Sequence, residues 1–279
     1  LTVAATNTQW MRSHLWSIAV AVNPEASLAA NLCVNTMNLA GSSKASINGA
    51  MPLTLGGNLN VTADTIREAT YTTVPVAASL GVSFNLDVNS LKVSNDTKPL
   101  NGDQKENRDL ATAKVDEEIG NVGALIGKAN IRPDGETTLT ISEDVAGSMS
   151  RAANAMDKIE DPMTLAEVDL HGKTATVGGN ADIKATDTIT TTPTTVPVSG
   201  GLLVVAPHVN ITDVNSVVEA TVNDTTLNAG GNITIDAKQE HTDNFHTVGV
   251  AIAAVAGTAA VYEWTDNAST AISLKGATK

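Results

Sequence analysis

Aromatic side chains are almost missing: Phe, Tyr and Trp together make up 3% of the 279 residues. Ordinary globular cores lean on these rings, so a core here must be assembled from smaller pieces. Charge is scarce as well, at 17% of residues, where a typical domain carries about a quarter. Basic residues are the scarcer sign, 17 against 30 acidic, leaving a net charge of −13. That balance excludes the basic face that phosphate neutralisation needs, and with it nucleic acid as a partner. Electrostatic docking on anionic lipid is disfavoured for the same reason. The single cysteine, Cys33, excludes an internal disulfide and a cysteine-only metal cage. Long apolar runs are also lacking. The longest, Val248 to Val261, is about fourteen residues, short of the roughly twenty that carry a helix across a bilayer. No signal peptide is read either, because the chain opens at Leu1 with no methionine and no basic segment.

What remains is a chain that is 42% hydrophobic and rich in Ala, Val, Thr, Asn and Gly. Small and β-branched side chains suit narrow, regularly stacked strands. A repeat confirms that direction. Gly56-Gly57-Asn58-Leu59-Asn60-Val61-Thr62-Ala63 returns as Gly178-Gly179-Asn180-Ala181-Asp182-Ile183-Lys184-Ala185 and again as Gly230-Gly231-Asn232-Ile233-Thr234-Ile235-Asp236-Ala237. Each copy is a turn followed by a period-2 strand with one buried face. The glycines are expected to supply positive φ, which Asn also tolerates.

Alternating stretches precede each copy: Lys44–Asn48, Thr174–Val177 and Glu219–Asn223. More apolar runs follow: Val74–Ala78, Val196–Gly200 and Val248–Ile252. The copies lie 122 and 52 residues apart. Leu1–Ala5 matches the strand after the turn, Trp16–Val22 the apolar run, and Thr270–Leu274 the strand before the turn. Both ends thus fall inside a repeat, which makes the chain a segment of a longer repetitive protein or one whose ends continue into a neighbouring copy.

The expected fold is all-β, a parallel β-solenoid with inward columns of Val, Ile and Ala; a β-sandwich is the competitor. At roughly 20 residues per coil the chain would make about a dozen coils and a rod of about 60 Å. Residues 1–100 and 171–279 carry the repeats. Residues 101–170 read as an insertion-rich excursion with a partial repeat. It holds a polar stretch from Asn101 to Gly120, an Asp134-Gly135 turn before a strand at Thr137–Ile141, and a helix-forming run Arg151–Ile159 ended by Pro162.

The unit resembles the repeats of large bacterial exoproteins of the two-partner secretion type, in particular the leukotoxin-family filamentous adhesins. Val218 to Lys238 carries the likeness best, and Lys44 to Asp64 more loosely. The resemblance implies a right-handed parallel β-helix displayed on, or shed from, the bacterial cell surface. It implies a structural and adhesive shaft segment that mediates attachment to a host or neighbouring-cell ligand. The partners so expected are that ligand and neighbouring repeats or copies end to end, with no nucleic acid and no membrane insertion. A self-assembling extracellular filament is the first alternative, and an enzyme degrading surface glycans the second.

Chemistry is harder to find. His241 and His246, with Glu240 and Asp243, invite a metal, but residues five apart on a strand face opposite ways. His171 and His208 read as surface-loop residues. Asp213 with Asp236, or Asp182 with Asp187, are the carboxylate pairs that polysaccharide hydrolysis would need. Gly178-Gly179-Asn180-Ala181-Asp182 lacks the second glycine and the tandem spacing of calcium-binding β-rolls. The sequons at Asn60, Asn95, Asn210, Asn223, Asn232 and Asn267 are better read as part of an Asn-rich chain, with Asn ladders stacked at turns. No catalytic, cofactor or metal residue is assigned, no cofactor is expected, and the chain is read as a non-enzyme.

Overall fold

The computed structural model describes residues 1–22, 28–94 and 163–275. Three series of strands recur along the chain. The first is β1 (Thr2–Ala21), β5 (Leu59–Ser79), β8 (Ala181–Thr195) and β11 (Ile233–Asp243), the last prolonged by β12 (His246–Thr247). The second is β2 (Leu28–Ala40), β6 (Val82–Ser94), β9 (Val198–Asn215) and β13 (Val250–Asp266). The third is β3 (Lys44–Asn48) with β4 (Leu53–Leu55), β7 (Thr164–Val177), β10 (Val217–Ala229) and β14 (Ser269–Lys275). The first two series form a nine-stranded sheet and the third a five-stranded one. Every described pairing is parallel.

Register explains why parallel strands stack here without crossover helices. Val3 pairs with Val61, Val61 with Ile183 and Ile183 with Ile235. Two residues on, Ala5, Ala63, Ala185 and Ala237 line up in the same way. Each pass of the chain lays equivalent residues on the pass before, so apolar columns build themselves. Leu1–Ala5, Trp16–Val22 and Thr270–Leu274 lie where the repeat placed them, opposite 59–63, 74–79 and 218–222. Pro197 has no N–H to give, and the strand break between Thr195 and Val198 sits there. Val196 keeps the ladder going by donating to the Thr73 carbonyl at 2.8 Å.

Three expectations need correction. Stacked residues are 52 to 122 positions apart, not about 20. Among the described residues four strands stack in the first series, β1 on β5, β8 and β11, which at a strand spacing of about 4.8 Å is under about 20 Å, not 60 Å. Second, Thr174–Val177 does not match Glu219–Asn223; it pairs with Thr226–Ala229 and with Leu53–Leu55, while Leu165–Asp169 pairs with Glu219–Asn223. A bulge between them, with His171 (φ 49), Gly172 (φ 80) and Asp224 (φ 40) in the left-handed region, separates the two halves.

Third, the paired glycines of the repeat do not have positive φ; among the described glycines only Gly172 does. Their reason is proximity. A Cβ on Gly230 would sit 2.5 Å from the Gly178 carbonyl oxygen, and one on Gly178 would sit 2.6 Å from that of Gly56. The expected Asn ladder is present: Asn180 donates its backbone N–H to Asn58 Oδ1, and Asn232 donates to Asn180 Oδ1, each at 2.9 Å.

Ser94 ends β6 and Thr164 begins β7, whereas the equivalent connections β2–β3, β9–β10 and β13–β14 take one to three residues. The Asn101–Gly120 stretch, the Asp134-Gly135 turn with its strand, and the Arg151–Ile159 helix lie outside the described residues. Thr164–Leu170, at the end of the 101–170 stretch, is the first half of β7 and pairs with β10.

One apolar cluster lies between the first and third series, with Leu59, Val61, Ala63, Ile183, Val168, Ala220 and Leu227. A second lies between the first and second series, with Ala69, Tyr71, Ile189, Leu91 and Val214.

Candidate functional site

Polar groups occupy much of the rest of the interior. Arg67 of β5 and Asp187 of β8 form an ion pair with both side chains fully buried, and Ser216 donates to Asp187. They sit next to Thr65, which bonds Ser43 at 3.0 Å and Thr164 at 2.7 Å. Burial alone lowers the Arg67 pKa, and the Asp187 carboxylate works against that.

A second polar layer is built by β6, whose alternating residues are buried on both faces. Phe84, Leu86 and Val88 point one way; Asn85, Asp87 and Asn89 point towards the first series. Asp87 accepts from Thr73 at 2.9 Å and from Asn89 at 2.8 Å. Asn89 also donates to Asn210 Oδ1 at 2.9 Å, where Tyr71 donates its hydroxyl at 3.0 Å. Burial raises the Asp87 pKa, and the bonds from Asn89, Thr73 and Cys33 only partly offset it. Cys33, stacked directly on Asp87, is pushed up to about 12 by burial and then by that neighbour. These groups favour their neutral forms inside the stack. At 0–2% exposure they hold strands in register and meet no substrate.

His208, expected on a surface loop, is a correction: it lies in β9 opposite Asp87, 3% exposed, and burial lowers its pKa to about 4. Pro207 before it suggested a loop, but Pro lies within the long parallel strand here. His171 sits in the β7 bulge, sharing a 2.9 Å bond with Asn48.

The weighed acid pairs are not brought together. Asp187 is buried on Arg67, whereas Asp182, on the opposite face of β8, lies 3.2 Å from Lys184. Asp213 lies near Lys92 and Asn267, and Asp236 near Lys238. His241 Nδ1 is 2.7 Å from Asp266, and His246 points to the other side of its strand. Among the described residues no three His, Cys, Asp or Glu side chains converge as metal ligands. Of the sequons, Asn210 is 1% exposed and Asn232 belongs to the turn ladder.

The accessible chemistry is on the outer face of the first series. Trp10 is 69% exposed. The Arg12 guanidinium lies over its ring at 5.8 Å from the centroid and 3.6 Å from the Glu68 carboxylate. Thr8, Gln9, Trp10, Arg12, Ile66 and Glu68 line an open pocket of about 250 Å³ there. Further along the same face, Trp16, Ile18 and Val20 stand exposed in register with Val74, Val76 and Ala78. Trp10, Arg12 and Glu68 were not singled out from the sequence. Strand parity would have found them: Val3 and Ala5 belong to the half-buried set of β1 and Leu59 and Val61 to the buried set of β5, so even positions on both strands face outward.

No family model, no curated protein and no solved structure matches this chain.

Proposed function

We propose that the chain is a length of structural, adhesive shaft wound as a right-handed parallel β-helix, belonging to a large secreted surface protein of the filamentous-adhesin kind. The observation that carries this reading is the in-register recurrence of whole passes: the Ala5–Ala63–Ala185–Ala237 column and the Asn58–Asn180–Asn232 ladder continue from each pass to the next. A fold whose every layer templates the next is suited to gaining length. β6 and β7, on either side of residues 95–162, keep their parallel pairing with β9 and β10, so the register holds across that stretch. The reading assigns no catalysis and places the protein outside the cell, facing a host or neighbouring-cell ligand.

Electron microscopy of the complete parent protein tests it. Thin rods that lengthen by about 4.8 Å per pass are expected; compact particles would sink the reading. Loss of cell attachment on deleting the parent gene tests the adhesive half.

A filament of separate copies is the second reading. It is favoured by half-buried Val3, Ala5, Ile233 and Ile235 on β1 and β11, each of which is paired along one edge only among the described residues. Sedimentation over a wide concentration range separates the two, since only the filament grows with concentration.

A further inference from the structure

We propose that the outer groove formed by Trp10, Arg12 and Glu68 binds a neutral pyranose ring within an oligosaccharide. A β-branched residue would serve the strand equally well, as Thr190 and Thr242 do in the same column, yet an indole stands exposed at position 10. The indole face turned away from Arg12 is a platform for the polarised C–H face of a sugar. Arg12 packs against the indole and orients it. The pair at 3.6 Å is loose. Arg12 therefore has guanidinium N–H groups to donate, and Glu68 has lone pairs to accept, which suits hydroxyls that do both.

Charge and size narrow the class. Arg12 and Glu68 cancel, so an anion would face Glu68 and a cation would face Arg12. A single aromatic ring is not the cage that recognises quaternary ammonium. The volume of about 250 Å³ lies just below the range of drug-sized pockets and suits one ring at a time. The neighbouring columns supply a track for further rings. Glu68 is followed by Thr190 and Thr242, and Arg12 by Thr70 and Thr192, at strand spacings of about 4.8 Å on the outer face, with the exposed Asn244 next, its backbone N–H donating to the Thr191 carbonyl. A glycan crossing the strands would thus find one aromatic platform and successive rows of hydroxyls and amides.

The proposal deepens the attachment reading and rests on it for its biological meaning, while the groove itself does not depend on the shaft being long. Calorimetric titration of the full chain with cellohexaose, chitohexaose, laminarihexaose and mannohexaose is the test, with a heparin hexasaccharide beside them. At least one neutral glycan is expected to bind, and Trp10→Ala to weaken it by about tenfold or more. Glu68→Gln should weaken it less, and Trp264→Ala on β13 should leave it unchanged. Unaltered circular dichroism would show that the exposed substitutions leave the fold intact. No neutral glycan bound at millimolar concentration, binding of heparin alone, or binding indifferent to Trp10→Ala would each overturn the proposal. Rods in the microscope with no glycan bound would leave the shaft reading standing; glycan binding by a protein that forms no rod would do the reverse.

Discussion

Asn180 stands between two turns: its backbone N–H donates to Asn58 Oδ1 below and its own Oδ1 accepts the backbone N–H of Asn232 above, both at 2.9 Å. Each turn is thereby the template of the next, and the glycines before each Asn let the turns approach that closely. A Cβ on Gly231 would fall 2.1 Å from Asn180 Oδ1. The repeat conserves a contact distance rather than a turn type.

Glycines should therefore be unequal in the side chain they tolerate. Gly230→Ala pushes a Cβ to 2.5 Å from the Gly178 carbonyl oxygen and is expected to cost about 1–3 kcal/mol, as overpacking does. Gly200→Ala, in β9 between Ala78 and Ile252 of the neighbouring passes, meets nothing within 4 Å and should shift stability by less than about 1 kcal/mol. Urea unfolding of the two variants side by side checks this, and equal losses would contradict it.

The Arg67–Asp187 pair is fully buried and lies between the two apolar clusters. Arg67→Met alone or Asp187→Leu alone leaves a buried charge without its partner, at a cost of about 3–5 kcal/mol. The double substitution Arg67→Met with Asp187→Leu should recover most of that loss. A double-mutant cycle in denaturant reads the coupling; additive losses would show that the pair is not a unit.

Cys33 is 2% exposed and its thiol is pushed up to about 12. The thiolate is the reactive form, so modification should be blocked twice over, by access and by protonation. Labelling with a thiol-specific disulfide reagent at pH 8 is expected to be negligible in the native protein and complete in urea. Rapid native labelling would mean that β2 opens locally.

The alignment of passes was legible in the sequence because stacked columns repeat residue types: Val3, Val61, Ile183 and Ile235 share a chemistry that a search for self-similarity detects. The length of a pass was not, since a strand with its turn carries a repeat signal whether the circuit holds one such unit or three. The polar interior was hidden for a different reason. In β6 the hydrophobic-inside rule selects Phe84, Leu86 and Val88, yet the set that meets the first series is Asn85, Asp87 and Asn89. Period-2 alternation gives two faces but does not say which one meets the first series when both are buried. His208 was misplaced because Pro207 before it was taken as a loop signal, and Trp10 was overlooked although parity alone puts it outside.

His208 offers a pH test with a definite sign. Its folded pKa, about 4, lies below the ordinary value of 6.5, so the unfolded chain binds the extra proton over that interval. Stability from keeping this ring neutral is fully present above pH 6.5 and is lost as pH falls towards 4, by up to about 3 kcal/mol. Asp87 and Asp213, raised by burial, act in the opposite sense, because their folded forms hold protons the unfolded forms release as pH rises past the ordinary carboxylate range. The His208 contribution is therefore read as a difference. Urea midpoints of the native protein and of His208→Gln are measured from pH 7 to 4.5. The native protein should lose stability more steeply than the variant, which has no ring to protonate, and parallel slopes would place His208 in contact with water.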